Sequence, residues 1–410
     1  MGSAIRRGTA LLAAIGLVAI SGSGGYLLGE SRDQPTNTGS GPTPSTPEPA
    51  SPLFPEPTGT TLVVMVASEQ LEQSDAHTAV LTIDIDDGRR RETPIAGGPL
   101  RVRSQPVSRA TRVVLVHNKS TSSAFSNADS EARVYTAAFD SPPVVLGHAT
   151  SVLPSVAPDR AWLLTADSRV QGGRPGGVVK EVNLQGQPVT PERAYPSDRQ
   201  PVAAVEGGLV REVRTSGQYG ATFEVWNPSK DEVVRTVAKE PAFLVDARGK
   251  WVAWLANTGL HVTDVSTGAD RVVQRPSDRF AFTSKGRFSP DGTILAVNMV
   301  EASSVGSPQP PLTRFATDEI HPSAWALVDL ASMKTTVIPG SGTDNGGFLS
   351  PAWSADSKWF FFSQNVTDPG EFGPNFGSES LVLAYRQGAV KARPIEVVLP
   401  RRTGPLIVTP

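Results

Sequence analysis

The chain contains no cysteine among its 410 residues. Without thiols there can be no disulfide bridges and no cysteine-linked lipid anchor. Any folded part must therefore be stabilised by packing and hydrogen bonding alone. No helical apolar periodicity outside residues 8–29 competes with strand-like alternation, so the sequence also predicts little helix.

An excess of charge of either sign is also missing. The chain has 38 basic and 40 acidic residues, a formal net charge of -2 and a pI near 6.3. Binding to nucleic acid needs a basic surface, so nucleic acid is not a predicted partner. Arginine makes up 29 of the 38 basic residues, which is a codon-usage sign of a GC-rich, actinobacterial type of genome.

Motifs that carry common chemistry are absent as well. No H-E-x-x-H, P-loop or dinucleotide fingerprint occurs, and the five histidines show no ligand spacing, so we predict no cofactor and no metal. Asp84, Asp86, Asp87 and Gly88 suggest a calcium loop, but three arginines follow and a downstream acidic ligand is missing. A charged hairpin turn is the preferred interpretation.

One long uncharged run stands near the N-terminus. Residues 8–29 follow Arg6 and Arg7, and 22 residues of helix span about 33 Å, enough for a membrane core. We predict a retained single-pass anchor with residues 1–7 in the cytoplasm. A signal peptide cleaved after the small-x-small pattern Ala19-Ile20-Ser21 is the alternative. Either interpretation places the remaining chain outside the cytoplasm.

Residues 30–58 hold eight prolines among Ser, Thr and Gly. Such a composition cannot form a core and favours an extended spacer. Residues 59–410 are predicted to be the globular part, on a stalk that raises it above the membrane surface.

The globular part repeats one pattern seven times. A turn-rich approach leads into an apolar strand, and a hairpin follows, as in residues 261–273, HVTDVSTGADRVV. The spacing of 42 to 65 residues between marker positions predicts an all-β fold, a seven-bladed β-propeller, with six or eight blades as alternatives. The marker residues that open the apolar strands are Leu62, Val113, Trp162, Leu209, Trp251, Ile294 and Trp359.

The first repeat lacks its innermost strand. Residues 404–409, GPLIVT, form a spare apolar strand with no hairpin after it. We predict that this strand completes the first blade and hides its edge.

The turn before the marker strand resembles the TolB-like and dipeptidyl-peptidase-type, WD-repeat-like propeller repeats, which carry S-P-D-G there. Residues 289–292 match the whole motif, and residues 157–159 and 354–356 match part of it. The resemblance covers roughly residues 59–409 and implies the propeller fold. The hydrolase domain that accompanies dipeptidyl-peptidase propellers needs a G-x-S-x-G nucleophile, which this sequence lacks.

Three tryptophans, Trp162, Trp251 and Trp359, share the marker position. A shared register could form an aromatic ligand platform. Other repeats have Leu or Ile there, so packing between blades is the preferred interpretation. Trp254 and Trp353 are predicted to pack as well.

Long connections between second and third strands distinguish the sixth and seventh repeats. They run from about residue 301 to 323 and from about 364 to 380, and loops of this kind commonly carry function. Their charged and aromatic side chains form the predicted partner-binding site; solvated insertions are the alternative. The site residues are Arg314, Phe315, Asp318, Glu319, His321, Asp368, Glu371, Phe372 and Phe376.

The sequence thus favours a non-catalytic, membrane-tethered, monomeric extracytoplasmic propeller that binds a protein or a cell-wall component. Two alternatives remain at this point. An exported lyase or glycosidase would use carboxylates at the channel mouth as acid and base, and a structural spacer would bind nothing.

Overall fold

The fold was analysed in a computed structural model of the chain. The structure describes residues 58–67, 76–95, 100–101, 107–109, 112–118, 130–137, 139–167, 176–215, 217, 219–301, 323–341, 351–366, 379–399 and 407–409. Every regular element in these ranges is a β-strand. The predicted anchor, residues 8–29, and all of the predicted linker except Thr58 lie outside them.

Residues 61–196 contain the first twelve strands. The strands are β1 (Thr61–Ala67), β2 (Ala76–Asp84), β3 (Arg90–Pro94), β4 (Leu100–Arg101), β5 (Val107–Arg109), β6 (Arg112–Asn118), β7 (Ser130–Thr136), β8 (Val144–His148), β9 (Ser151–Pro154), β10 (Arg160–Asp167), β11 (Gly176–Asn183) and β12 (Arg193–Pro196). Neighbouring strands pair antiparallel, as β1 does with β2, β2 with β3, β6 with β7 and β10 with β11.

The remaining strands continue the pattern to the C-terminus. They are β13 (Arg199–Val205), β14 (Gly208–Val213), β15 (Ala221–Asn227), β16 (Glu232–Arg248), β17 (Trp251–Ala256), β18 (Gly259–Asp264), β19 (Asp270–Val272), β20 (Phe280–Phe288), β21 (Ile294–Glu301), β22 (Ser323–Asp329), β23 (Thr335–Val337), β24 (Ala352–Trp353), β25 (Trp359–Val366), β26 (Glu379–Arg386), β27 (Arg393–Leu399) and β28 (Ile407–Thr409).

Hydrogen bonding among the described residues joins these strands into six antiparallel sheets. Four of them have four strands each, in the orders β5-β6-β7-β8, β12-β11-β10-β9, β20-β21-β22-β23 and β24-β25-β26-β27. One has the order β28-β1-β2-β3, with β4 also paired to β2. The last has seven strands, β13 to β19, in chain order.

The seven-stranded sheet depends on one long strand. β16 has 17 residues; its first part, up to Ala242, pairs with β15, and its second part, from Phe243, pairs with β17. The chain thus passes from the outer strand of one four-strand group to the first strand of the next without a loop.

The C-terminal strand lies at the edge of the first sheet. Thr409, Val408 and Ile407 pair antiparallel with Thr61, Leu62 and Val63 of β1. The spare apolar segment noted in the sequence therefore contributes three paired residues to the first sheet, and the far side of β1 pairs with β2.

Alternating burial explains why β1 is apolar at successive positions. Leu62 and Val64 pack with Phe361 of β25, whereas Val63 and Met65 belong to the cluster that includes Val113 of β6. Successive side chains of a strand point to opposite faces, so a sheet covered on both faces needs apolar residues throughout. The first sheet is thus packed between the second sheet and the last one.

The same packing recurs along the chain in a propeller-like arrangement. Among the described residues, seven buried apolar clusters each draw on consecutive strand groups, and one of them joins the last group to the first. A fully buried Val or Leu side chain contributes about 1.5–3 kcal/mol, so these clusters are the main source of stability.

The tryptophans are buried as packing residues, with one exception. Trp162, Trp359, Trp254 and Trp353 are each at most 8% exposed, which confirms the packing interpretation for these four. Trp251 is only partly buried.

The acidic run after β2 forms a hairpin turn, as predicted. Arg89 pairs with Asp84 and Asp87 in the turn between β2 and β3. The carboxylate of Asp86 accepts backbone N–H groups from Thr58 and Gly59, at 2.5 and 2.8 Å. Asp86 thus holds the chain just before β1.

Candidate functional site

The partner-binding residues predicted from the sequence all lie outside the described residues. Arg314, Phe315, Asp318, Glu319 and His321 fall in residues 302–322, which join β21 to β22. The others, Asp368, Glu371, Phe372 and Phe376, fall in residues 367–378, which join β25 to β26. This site remains a prediction.

The described residues form a pocket at the other end of the strands. It lies among the turns that join first and second strands, has a volume of about 340 Å³, and is called here the turn-face pocket. The pocket lies near the start of β21 at Ile294, whereas residues 302–322 follow its end at Glu301. The two ends of this strand are about 23 Å apart at ~3.3 Å per residue. The lining residues are Pro154, Ser155, Val156, Ala204, Glu206, Asp246, Ala247, Arg248, Gly249, Lys250, Trp251, Pro290, Asp291 and Gly292.

Two of the neighbouring turns are closed by their own side chains. In the β20–β21 turn, Ser289 Oγ donates to Asp291 Oδ1 at 2.6 Å and accepts the N–H of Ile294 at 3.0 Å. In the β24–β25 turn, Ser354 Oγ donates to Asp356 Oδ1 at 2.6 Å and accepts the N–H of the residue that opens β25 at 2.9 Å. The side-chain polar groups of the Ser-x-Asp motif are therefore used mainly within their own turns, and the N–H of Asp291 donates to Ser357 Oγ of the β24–β25 turn at 3.0 Å.

The β16–β17 turn has the same length but different residues. Asp246 stands where the other turns have serine, and Arg248 stands where they have aspartate. Gly249 adopts a positive φ of 56°, as Gly292 does at 69° in its turn, so the backbone path is similar. The repeat motif is thus replaced in the β16–β17 turn, which lines the pocket beside the intact motif of the β20–β21 turn.

Asp246 faces inward from this turn. Its carboxylate accepts the N–H of Phe288 at 2.7 Å and lies 3.9 Å from Arg287, and its side chain is 17% exposed. Burial raises the pKa of Asp246 above its ordinary value, although Arg287 and the Phe288 amide act against this effect. The carboxylate ties β16 to β20 beneath the pocket.

Arg248 and Glu206 present uncommitted charges to the pocket. The Arg248 side chain is exposed, and its one hydrogen bond to the described residues is from Nε to the Pro290 carbonyl, at 3.3 Å; it forms no ion pair there, although the carboxylates of Asp246 and Asp291 lie near enough to act on its charge. Glu206 is exposed, and its carboxylate has no hydrogen-bond or ion-pair partner within the described ranges. Its backbone N–H donates to Gly249 O at 2.7 Å, which ties the β13–β14 turn to the β16–β17 turn.

The other cation of the turn is already engaged. Lys250 Nζ lies 3.2 Å from Asp264 and 4.7 Å from the centre of the Trp251 ring. Arg271 lies 5.5 Å from the same ring. Trp251 therefore carries cations over its ring and lines the pocket, whereas Trp359 at the same repeat position is buried.

A hydroxyl–imidazole–carboxylate array lies outside the pocket. His261 Nε2 is 2.8 Å from Thr258 Oγ1, and Nδ1 is 2.7 Å from Asp270 Oδ2, the order of a nucleophilic triad. The Thr258 hydroxyl also lies 2.8 Å from Glu240 Oε1 and donates to it, and the imidazole stacks on Trp254 at 3.9 Å. A hydroxyl has one proton to donate, so we interpret this array as a brace of the β17–β18 hairpin.

Within the described ranges, no group of three or more His, Asp or Glu side chains could hold a metal ion. Within the same ranges, no helix has the length and apolar character needed to cross a bilayer.

The turn-face pocket was not predicted from the sequence, in which the repeat turns indicated only the propeller fold. The pocket combines segments more than 40 residues apart, such as those around Ser155, Glu206 and Arg248. One signal was available in the sequence: Arg248 has the opposite charge to the aspartate of the repeat motif.

Comparison with known proteins shows the fold alone. No protein-family profile matches the chain, and no curated protein matches it in sequence. An acylaminoacyl peptidase from Pyrococcus horikoshii is similar over 82% of this chain and 50% of its own, with TM-score 0.52 and 10% identity. The chain thus spans about half the length of that peptidase.

Two proteins are similar over most of their own length. The periplasmic gluconolactonase PpgL from Pseudomonas aeruginosa is similar over 86% of this chain and 99% of its own, with TM-score 0.50 and 12% identity. TolB from Acinetobacter baumannii has a TM-score of 0.40 and 11% identity over 80% of this chain and 78% of its own. Identities this low carry no information on activity.

Proposed function

We propose that the chain is a non-catalytic, extracytoplasmic β-propeller that binds a protein partner or a cell-envelope component. It is a monomeric, seven-bladed member of the TolB-like and dipeptidyl-peptidase-type repeat family, and residues 8–29 tether it to the membrane. The observation that carries the binding role is the pair of uncommitted charges, Glu206 and Arg248, in the turn-face pocket.

Two features support the number of blades. Dividing the seven-stranded sheet at β16 leaves seven groups of about four strands, the content of one blade each. The seven buried clusters then lie one between each pair of neighbouring blades, including the last and the first.

Binding is supported by the contrast among the repeat turns. Ser289, Asp291, Ser354 and Asp356 use their polar groups within their own turns, which leaves little for a ligand. Arg248 keeps most of its N–H donors available. A polar side chain that makes no hydrogen bond within its own turn is available to bind a partner. Concave binding sites commonly combine a few such side chains with apolar walls.

The loop residues predicted from the sequence form a second proposed contact surface. Residues 302–322 and 367–378 follow the ends of β21 and β25 that point away from the turn-face pocket. Phe315 and Phe372 supply apolar anchors there, with Glu371 and His321 to select the partner.

Site-specific photo-crosslinking in intact cells tests the proposal. The crosslinking residue replaces Val156, which is 51% exposed at the turn-face pocket, or Phe372 in the predicted loop site. Val390, 90% exposed on the β26–β27 turn, is the matched control. We expect one defined adduct at Val156 that the control lacks. An adduct at Phe372 alone would move binding to the loop surface, and no adduct at either would refute a binding role.

The membrane tether has a separate test. A retained anchor leaves the mature chain starting at Met1 or Gly2 in the membrane fraction, measured by N-terminal mass spectrometry. A mature chain that starts at Gly22 in the soluble fraction would replace the anchor with a cleaved signal peptide.

A further inference from the structure

We infer that the turn-face pocket takes a small zwitterionic ligand of the amino-acid or short-peptide class. In this arrangement the Glu206 carboxylate accepts from the ligand ammonium, and the Arg248 guanidinium donates to the ligand carboxylate. The inference rests on the proposed binding function of the same pocket and specifies its ligand.

The charges that line the pocket select against ligands of one sign. Glu206, Asp246 and Asp291 line it together with Arg248 and Lys250. A phosphate or another multiply charged anion would meet the Glu206 carboxylate, and a simple cation would meet Arg248. A ligand that carries both charges can pair each with its opposite.

Arg248 is suited to the carboxylate end. Its Nε donates to the Pro290 carbonyl, so both terminal nitrogens keep their N–H groups free of partners within the described residues. A guanidinium donates two parallel hydrogen bonds to a carboxylate. This fork geometry fits a carboxylate better than the single ammonium group of a lysine would.

Glu206 is held at a fixed place relative to Arg248. The N–H of Glu206 donates to the carbonyl of Gly249, the residue after Arg248, at 2.7 Å. The two side chains nevertheless form no ion pair with each other, because no nitrogen and oxygen of the pair come within 4.0 Å. A ligand with opposite charges at its two ends would join them, and a preorganised backbone lowers the entropy cost of doing so.

The walls and the size of the pocket limit the ligand. Val156, Pro154 and Ala247 supply apolar surface beside the partly buried Trp251. A volume of about 340 Å³ is near the lower end for ligand pockets, which run from about 300 to 1,000 Å³. An amino acid or a di- or tripeptide, free or at the end of a polymer, is of suitable size.

A thermodynamic cycle on the full chain tests the inference, with the dipeptide Ala-Ala as the probe. N-acetyl-Ala-Ala keeps only the carboxylate, and Ala-Ala-amide keeps only the ammonium. Affinities are measured by calorimetry for the wild type, Glu206→Gln and Arg248→Gln. The matched control is Glu212→Gln with Arg214→Gln, an exposed pair 3.0 Å apart at the far end of β14.

We expect about a 10-fold loss of Ala-Ala affinity in each pocket variant and none in the control, because each pocket variant removes one charge-assisted hydrogen bond. N-acetyl-Ala-Ala should bind the wild type more weakly than Ala-Ala does, whereas Glu206→Gln should bind the two ligands equally. Ala-Ala-amide should likewise bind the wild type more weakly than Ala-Ala does, and Arg248→Gln should bind these two equally. Failure of Ala-Ala to bind at millimolar concentration, or equal losses in the control, would overturn the inference.

The crosslinking experiment separates this inference from the proposed function. A partner captured at Val156 by a chain that does not bind Ala-Ala would leave the binding role intact and reject the zwitterionic ligand. If the captured partner competes with Ala-Ala and carries a free peptide end, the natural ligand is the end of a polymer and not a free amino acid or peptide.

Discussion

The β16–β17 turn and the β24–β25 turn occupy the same place in the repeat and have opposite chemistry. In the latter, Ser354 and Asp356 bond to each other and to the following backbone. In the former, Asp246 bonds across to β20 and Arg248 extends into a pocket. The repeat therefore keeps its backbone turn while the side chains either close the turn or leave it open for a ligand.

The pKa shifts express the same contrast. Burial acts to raise the pKa of Asp356, but hydrogen bonds from Ser354 and the Lys358 backbone outweigh it and lower the pKa. Asp246 lies near Arg287 and accepts from the backbone of Phe288 and Ala247, but burial outweighs these groups and raises its pKa. An ionised Asp356 thus stabilises the fold, whereas an ionised Asp246 destabilises it. Departure from a stabilising motif is a common sign of function.

The largest effect should come from opening a closed turn. Ser354→Ala leaves the N–H of Trp359 and the carboxylate of Asp356 without their buried partner, so the free energy of unfolding should fall by about 2 kcal/mol. Urea unfolding measures this loss. Ser229→Ala, at an exposed serine, is the control and should change stability by less than about 0.5 kcal/mol. Equal behaviour of both variants would show that the Ser-x-Asp motif does not stabilise its turn.

A smaller effect of opposite sign should follow from closing the open turn. The double variant Asp246→Ser, Arg248→Asp installs the repeat motif. It adds two local hydrogen bonds and removes the buried charge of Asp246, which together should outweigh the lost acceptor of the Phe288 N–H, so we expect the free energy of unfolding to rise by about 1 kcal/mol in urea unfolding. Crosslinking through Val156 should be lost at the same time. A stable variant that still captures its partner would separate binding from Arg248.

The variant Asp246→Asn removes only the charge of Asp246. It should raise the free energy of unfolding by less than about 1 kcal/mol, and the increase should depend on pH. A raised pKa in the folded state means that the native chain holds this proton more tightly. The destabilisation is therefore absent below the unfolded pKa near 3.9 and develops as pH rises through the folded pKa. Asp246→Asn keeps an acceptor for the Phe288 N–H and should exceed the wild type in stability at pH 7.

The measurement is urea unfolding of both proteins at about pH 2.5, well below the unfolded pKa near 3.9, and at pH 7. Their stabilities should converge at the lower pH, where Asp246 binds its proton in both states. A difference that grows as the pH falls would mean that the Asp246 carboxylate stabilises the fold instead.

The smallest effect on stability should come from Arg248→Gln. The side chain is exposed and makes one hydrogen bond of 3.3 Å, so the free energy of unfolding should change by less than about 0.5 kcal/mol. The same variant should bind Ala-Ala about 10-fold more weakly than the wild type. A loss of several kcal/mol in stability would assign Arg248 to the fold and remove the basis for the pocket as a recognition site.

Much of the fold could be predicted from the sequence because the period and the apolar pattern are local. All seven marker residues lie in strands, from Leu62 in β1 to Trp359 in β25, and a hairpin follows each marker strand. The segment at residues 404–409 was identified by its lack of a hairpin partner, and Ile407–Thr409 pair with β1.

The pocket could not be predicted in this way, because its walls come from separate turns that only tertiary packing brings together. Trp251 illustrates the limit. Its register is that of the buried Trp162 and Trp359, yet the altered turn before it leaves its ring partly exposed beside Lys250. Periodicity predicts which face of a strand is apolar, but it does not predict where a neighbouring turn fails to cover that face.

The pairing of β1 has a mechanical consequence. A pull on the chain ahead of Thr58 reaches Asp86 first and then β1, which lies between β28 and β2. Ladder hydrogen bonds run perpendicular to the strands, so a force along β1 loads both ladders in shear, and the bonds share the force instead of breaking one by one. The first and last strands of the fold would resist such a pull together.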